Sequence, residues 1–190
     1  MAGDIAKNIQ TVLDSLYSIS ANTKNVYGFP IKRTSFTEEL LLAYRFHGPS
    51  YPSMDRVYGE IDRLRKYMAA NGATERYYPM MNTRKTDSSL YETMVAISID
   101  KRIPGNKEYF MSRMVLMKDR FLETEIKGGP GHIQQAYAAI EKYMDDHGLS
   151  SPARPFEIMI TDRSRETDTT KWVSKLFYPS MGVLTRMVQR

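Results

Sequence analysis

One local pattern is written twice in this chain, and that repetition restricts the available folds more than any other feature. His47-Gly48-Pro49-Ser50-Tyr51 leads into a stretch that closes on Lys66-Tyr67-Met68-Ala69-Ala70-Asn71-Gly72. Gly128-Gly129-Pro130-Gly131-His132 leads into another that closes on Lys142-Tyr143-Met144-Asp145-Asp146-His147-Gly148. Met54, Val57, Tyr58, Ile61, Leu64 and Met68 share one face of the first stretch at helical spacing, and Ile133, Ala136, Tyr137, Ile140 and Met144 do the same in the second. Gly72 and Gly148 fall where a left-handed residue just past the last turn ends a helix. Any two amphipathic helices look somewhat alike, but matched ends argue for an internal duplication, which decides the fold before single elements do.

The segments around these helices read in the same order. Residues 26–36 are expected to be extended, interrupted by Pro30, and 39–46 alternate as a half-buried strand before the first Gly-Pro turn. A short strand at 77–81, a polar turn at 82–89 and a strand at 91–99 close the first half. The second half is expected to offer strands at 109–117 and 120–126, the helix, and strands at 156–161 and 172–178. The fold class expected is α+β, as two ββαββ repeats at about 27–99 and 109–180. Four strands with one helix leave a sheet edge and a face unfinished, which pairing two halves would cover. Residues 1–26 are expected to be a helix over 4–19, with Ile5, Ile9, Val12, Leu13 and Leu16 at helical spacing, followed by a linker. That helix has no counterpart in the second half and could meet the domain, 27–190, or a protein partner.

Composition excludes several function classes. No apolar run is long enough to span a bilayer, and Met1-Ala2-Gly3-Asp4 is not a signal peptide, so a cytoplasmic location is expected, a removed leader or anchor aside. The absence of cysteine excludes disulfides, thiol catalysis and thiolate metal sites. Net charge is +5, but Arg56, Arg63, Arg65 and Lys66 share the first long helix with Asp55, Glu60 and Asp62, which reads as a solvated face rather than a nucleic-acid-binding one. His47, His132 and His147 lack the carboxylates a zinc set needs. Proline interrupts the amides that a phosphate cradle at Gly128-Gly129-Pro130-Gly131 would require. No cofactor and no metal is expected.

Phe156-Glu157-Ile158-Met159-Ile160-Thr161-Asp162, a polar loop, and Trp172-Val173-Ser174-Lys175-Leu176-Phe177-Tyr178-Pro179 resemble the closing signature of gyrase-inhibitor-like, or AraC-type effector-binding, domains. Arg45-Phe46-His47-Gly48-Pro49 resembles that family's strand-to-turn element, and the likeness covers roughly residues 27–182. The resemblance implies a duplicated α+β domain, an antiparallel sheet with two helices packed on one side, and a small-molecule pocket at the seam between repeats. Relatives bind lipophilic, often cationic compounds; many are fused to DNA-reading regulators, and some stand alone, a few as hydrolases. The chain resembles the stand-alone kind. It departs from the family at Ser174-Lys175, where Thr-Glu is usual and the glutamate is expected to face the pocket, and at Asp162-Arg163, where Asp-Pro is common.

Thirteen methionines and thirteen tyrosines suit an adaptable wall for flat apolar ligands, although core filling explains them as well. The ligand-binding candidates are Tyr44, Tyr78, Met80, Glu92, Met94, Tyr109, Met159, Trp172, Lys175 and Phe177. Glu92 lies near the repeat position that Lys175 occupies in the second half, so the two could pair or present an acid and a base to a ligand. The expected function is binding of a small amphiphilic molecule, as a sensor or sequestering domain linked to transcription regulation. The alternatives are a hydrolase with Glu92 as base and a tyrosine as acid, and a protein-interaction module of gyrase-inhibitor type.

Overall fold

The computed structural model describes residues 22–38, 40–86, 89–114 and 118–182. The helix expected over 4–19 lies outside them. In chain order the elements are α1 (Thr23–Tyr27), β1 (Lys32–Thr34), β2 (Leu40–Gly48), α2 (Met54–Ala70), β3 (Met80–Lys85), β4 (Tyr91–Ser98), β5 (Phe110–Arg113), β6 (Phe121–Lys127), α3 (Pro130–Asp146), β7 (Leu149–Ser150), β8 (Phe156–Met159), β9 (Val173–Pro179) and β10 (Met181–Gly182). Eight strands form one antiparallel sheet in the order β1-β6-β9-β8-β3-β4-β2-β5, while β7 and β10 pair separately.

That order is a palindrome. The course β2-α2-β3-β4 matches β6-α3-β8-β9, and the two meet at the centre of the sheet, where Met80 pairs with Ile158 and Met81 with Glu157. The two halves also exchange their opening strands. β1 leaves its own half to edge β6, and β5 leaves its half to edge β2. Short strands carry no local signal of which edge they will join; the choice rests on which exposed backbone edge needs a partner in three dimensions.

Both helices begin and end for reasons visible in their sequence. The Ser53 side chain accepts a hydrogen bond from the Arg56 N–H at 3.3 Å, capping α2, and Asp55 adds negative charge to its first turn. Proline at the first turn starts α3 without a side-chain cap. Past the ends, Gly72 and Gly148 have φ of +68° and +58°, left-handed values that a Cβ would strain.

Strand alternation then fixes two faces. Leu42, Phe46, Val95, Ile97 and Met81 meet Val57, Ile61 and Leu64 of α2, while Leu122, Ile126 and Leu176 meet Ile133, Ala136 and Ile140 of α3. The register places these strand residues on one face, so both helices cover the same side. Burial of each fully enclosed Ile or Leu contributes about 1.5–3 kcal/mol. On the other face Phe36 stands edge-on to Phe156 and Phe177, each at 5.1 Å between ring centroids, and Phe121, Met80 and Ile158 complete that cluster.

Local boundaries differ from the sequence reading in several places; the strand expected over 109–117 is Phe110–Arg113, with 115–117 outside the described residues, and β7 and β10 are additional. The expected linker and extended stretch around residues 20–36 contain α1, capped by Asn22 and ended by Gly28 at φ +80°, and only Lys32–Thr34 forms a strand. The polar residues 82–85 continue β3, because Thr83 and Arg84 gain partners across the sheet in Thr93 and Glu92. Tyr77 and Tyr78 precede that strand instead of starting it.

Candidate ligand-binding cleft

The turn after β2, the first residue of β4 and one wall of α3 enclose a cleft of about 520 Å³ above the central seam of the sheet. Tyr51, Tyr91 and Tyr137 stand around it, with Met81, Ile133 and Thr83 below and beside them, and Glu157 on its floor. Tyr51 and Tyr91 meet edge-to-face at 6.1 Å. Glu157 reaches the floor because β8 alternates: Phe156 and Ile158 turn to the far face, Glu157 and Met159 to the helix face.

A carboxylate there would be costly alone. The loop after β8 supplies Arg163, whose Nη2 donates to Glu157 Oε1, and the side chains of this pair are 1% and 2% exposed. The same nitrogen lies 2.5 Å from Ser174 Oγ, the guanidinium stacks 4.6 Å over the Trp172 ring, and Nη1 is 3.8 Å from Met54 Sδ. The Arg163 backbone N–H donates to the Tyr58 hydroxyl at 2.9 Å, and that hydroxyl donates to the Thr161 carbonyl at 3.1 Å. Arg163 is thus held by α2, β8, β9 and its own loop. Its Nε is buried with no hydrogen-bond partner among the described residues.

Of the cleft's phenols, Tyr51 and Tyr137 are held firmly protonated. Burial pushes the Tyr51 hydroxyl up to about 12, and the nearby Glu157 charge adds to it, although the whole residue is 42% exposed because its outer edge faces water. Burial, then Glu157, also raises Tyr137. Burial raises Tyr178 to about 12 with help from Glu141, whose carboxylate accepts its hydroxyl at 3.1 Å on the α3 wall. The cleft therefore offers O–H donors and aromatic faces, not phenolates.

None of the ten sequence-predicted site residues lines this cleft. Tyr44, Tyr109 and Met159 sit in the core beneath α2, with Tyr44 stacked 5.9 Å from Phe46 and Tyr109 5.1 Å from Tyr67. Met80, Met94 and Phe177 belong to the Phe36 cluster on the other face. Tyr78 is exposed beside Tyr77. Trp172 lies under the Arg163 guanidinium that pairs with Glu157, and its Nε1 donates to the Glu166 carbonyl at 2.8 Å.

The Glu92–Lys175 pair does not form. Lys175 turns to the face away from the helices, 3.3 Å from Glu123; burial lowers its pKa, but Glu123 outweighs that and raises it. Glu92 accepts from Arg84 at 3.1 Å and from Arg154, with His47 at 3.4 Å. Burial pushes the Glu92 carboxyl up, but those arginine hydrogen bonds win and hold it at about 2. The two residues sit on different halves of the sheet, with β3 and β8 between their strands.

Sequence reasoning missed Glu157, Arg163, Tyr51, Tyr91 and Tyr137 as a group. One signal was available: Glu157 is a lone charge inside the apolar run Phe156-Glu157-Ile158-Met159-Ile160, and buried charges need partners.

The fold is an α+β domain: an eight-stranded antiparallel sheet with two long helices on one side and a cleft between helix and sheet. Among solved structures the chain is similar to EcmrR in a cryo-EM structure of an EcmrR–DNA complex, with TM-score 0.72, 17% identity, and coverage of 95% of this chain and 69% of that one. It is also similar to the EcmrR C-terminal domain, with TM-score 0.68, 16% identity, and coverage of 82% and 99%. A hydrolase from Listeria innocua superposes with TM-score 0.57 at 11% identity, over 80% of this chain and 91% of that one. At such identities the likeness defines the fold alone. No family model and no curated protein matches the chain. Among the described residues no helix is long and apolar enough to cross a membrane.

Proposed function

We propose that this chain is a small-molecule-binding domain that takes a flat, amphiphilic ligand into the cleft beside α3, as a sensor or sequestering module linked to transcription regulation. The observation that carries this reading is a cleft of about 520 Å³ walled by three tyrosines, a methionine and an isoleucine, with one buried carboxylate on its floor. Small-molecule sites have this make-up: mostly apolar and aromatic walls, with few polar groups to set orientation. Such a module would work in the cytoplasm, without reading nucleic acid itself, and the 4–19 stretch would serve a protein partner.

A hydrolytic role through Glu92 has less support. A general base works best with a pKa near the operating pH, and Glu92 is held at about 2 by arginines on the face away from the cleft.

The test is a thermal-shift series with flat dyes and drugs. A ligand binding only the folded state stabilises it by about 2.7 kcal/mol at a hundredfold excess over Kd. The shift should vanish in Tyr137→Ala and in Gln134→Trp, the second placing an indole into the cleft from an exposed helix position. Ligand-dependent shifts that survive both substitutions would remove the cleft from the reading.

A further inference from the structure

A carboxylate on the floor of an apolar cleft is ordinarily a magnet for cations, because charge interactions strengthen where water is excluded. In this chain the cation is already built in. Resting on the ligand-binding reading above, we infer that Arg163 is a specificity-determining residue: an internal counter-ion that cancels Glu157 and sets the cleft for uncharged flat amphiphiles in preference to lipophilic cations.

Three observations carry this. Glu157 lines the cleft, whereas Arg163 does not and is 1% exposed, so a ligand meets the carboxylate with its charge already balanced from behind. The guanidinium is not free to leave, being held at once by Glu157, by Ser174 Oγ at 2.5 Å, by the Trp172 ring at 4.6 Å and by Met54 Sδ at 3.8 Å. Its backbone is anchored as well, through the hydrogen bond to Tyr58 at 2.9 Å. A ligand cation would have to compete for Glu157 with a partner that is tethered to it and needs no desolvation on binding. An anion fares no better, since the acids it meets are Glu157 on the floor and Glu141 on the α3 wall, with the guanidinium out of reach. What remains for the ligand is aromatic stacking against Tyr51, Tyr91 and Tyr137 and acceptance of hydrogen bonds from the protonated hydroxyls of Tyr51 and Tyr137.

The experiment titrates the full chain with three dyes of similar size: Nile red, uncharged; rhodamine 6G, cationic; and 1-anilinonaphthalene-8-sulfonate, anionic. Wild type should bind Nile red at least tenfold more tightly than either charged dye. Arg163→Met bares the Glu157 charge and should gain at least tenfold in affinity for rhodamine 6G. Glu157→Gln removes the negative charge that the sulfonate meets and leaves the guanidinium charge uncancelled behind the floor, and affinity for the sulfonate should rise similarly. The Arg163→Met/Glu157→Gln double variant, with neither charge buried, should return to the neutral preference. Equal wild-type affinity for Nile red and rhodamine 6G overturns the inference, as does a folded Arg163→Met without the gain. Should one single variant fail to fold, the other single variant and the wild-type preference decide. If no dye binds wild type or the double variant, the cleft is not a ligand site and both readings fall. If Nile red binds in a manner blocked by Gln134→Trp but rhodamine 6G affinity ignores residue 163, the inference falls alone.

Discussion

Arg163→Met also tests how the fold tolerates Glu157. The substitution removes the cation from a pair whose side chains are 1% and 2% exposed, and it removes the bond to Ser174 Oγ and the stacking on Trp172. Methionine fills much of the same volume, so the loss is electrostatic more than steric. Breaking a buried pair by deleting one partner costs about 3–5 kcal/mol, because the remaining charge stays desolvated and unpaired. For a chain of 190 residues, at roughly 2–4 °C per kcal/mol, that is a fall in the melting midpoint of roughly 6–20 °C. Urea denaturation followed by far-UV circular dichroism gives the free energy without relying on Trp172, the single tryptophan, whose surroundings change with the substitution. Glu157→Gln should also destabilise, by about 2–5 kcal/mol, while the double variant should lie within about 2 kcal/mol of wild type, since replacing both ions of a buried pair is often nearly neutral. A cost below about 1 kcal/mol for Arg163→Met, or single effects that simply add in the double variant, would show that the pair is not coupled as the geometry requires.

Two further outcomes concern the face away from the helices. Because its arginine partners hold the Glu92 carboxyl at about 2, below its ordinary 4.5, Glu92 adds stability above pH 4.5 that is lost as pH falls toward 2. Urea midpoints measured at pH 6, 4, 3 and 2 should decline less steeply in Glu92→Gln than in wild type, and parallel profiles would remove Glu92 from acid unfolding. Lys175→Glu should place a carboxylate against Glu123, now 3.3 Å from the ammonium, and lower stability on the order of 1 kcal/mol. It should leave dye affinities unchanged, because Lys175 does not line the cleft; an altered preference for charged dyes would mean that the ligand sits on the other face.

What the sequence determined by itself was local and periodic. The apolar stripes of α2 and α3, their closing glycines and the alternation of β4 and β9 all follow from contacts between residues a few positions apart, which composition encodes directly. The matched Gly-Pro turns foretold that two stretches would take the same course, while the placing of both helices on one side of the sheet came from the family resemblance of the closing strands. Tertiary structure decided the rest. Each half's opening strand crossed to edge the other half, since an unpaired edge is satisfied by whichever backbone reaches it. Two residues that line the cleft stand one position from a residue singled out in the sequence, Met81 next to Met80 and Tyr91 next to Glu92. Alternation divides a strand between two faces, but which face carries the cleft depends on where the helices settle, and that is a long-range choice. Arg163 shows the limit most clearly. In the sequence it is one more charge in a polar loop; only the fold, by bringing that loop beneath Glu157, Ser174 and Trp172, makes it the counter-ion of a buried acid.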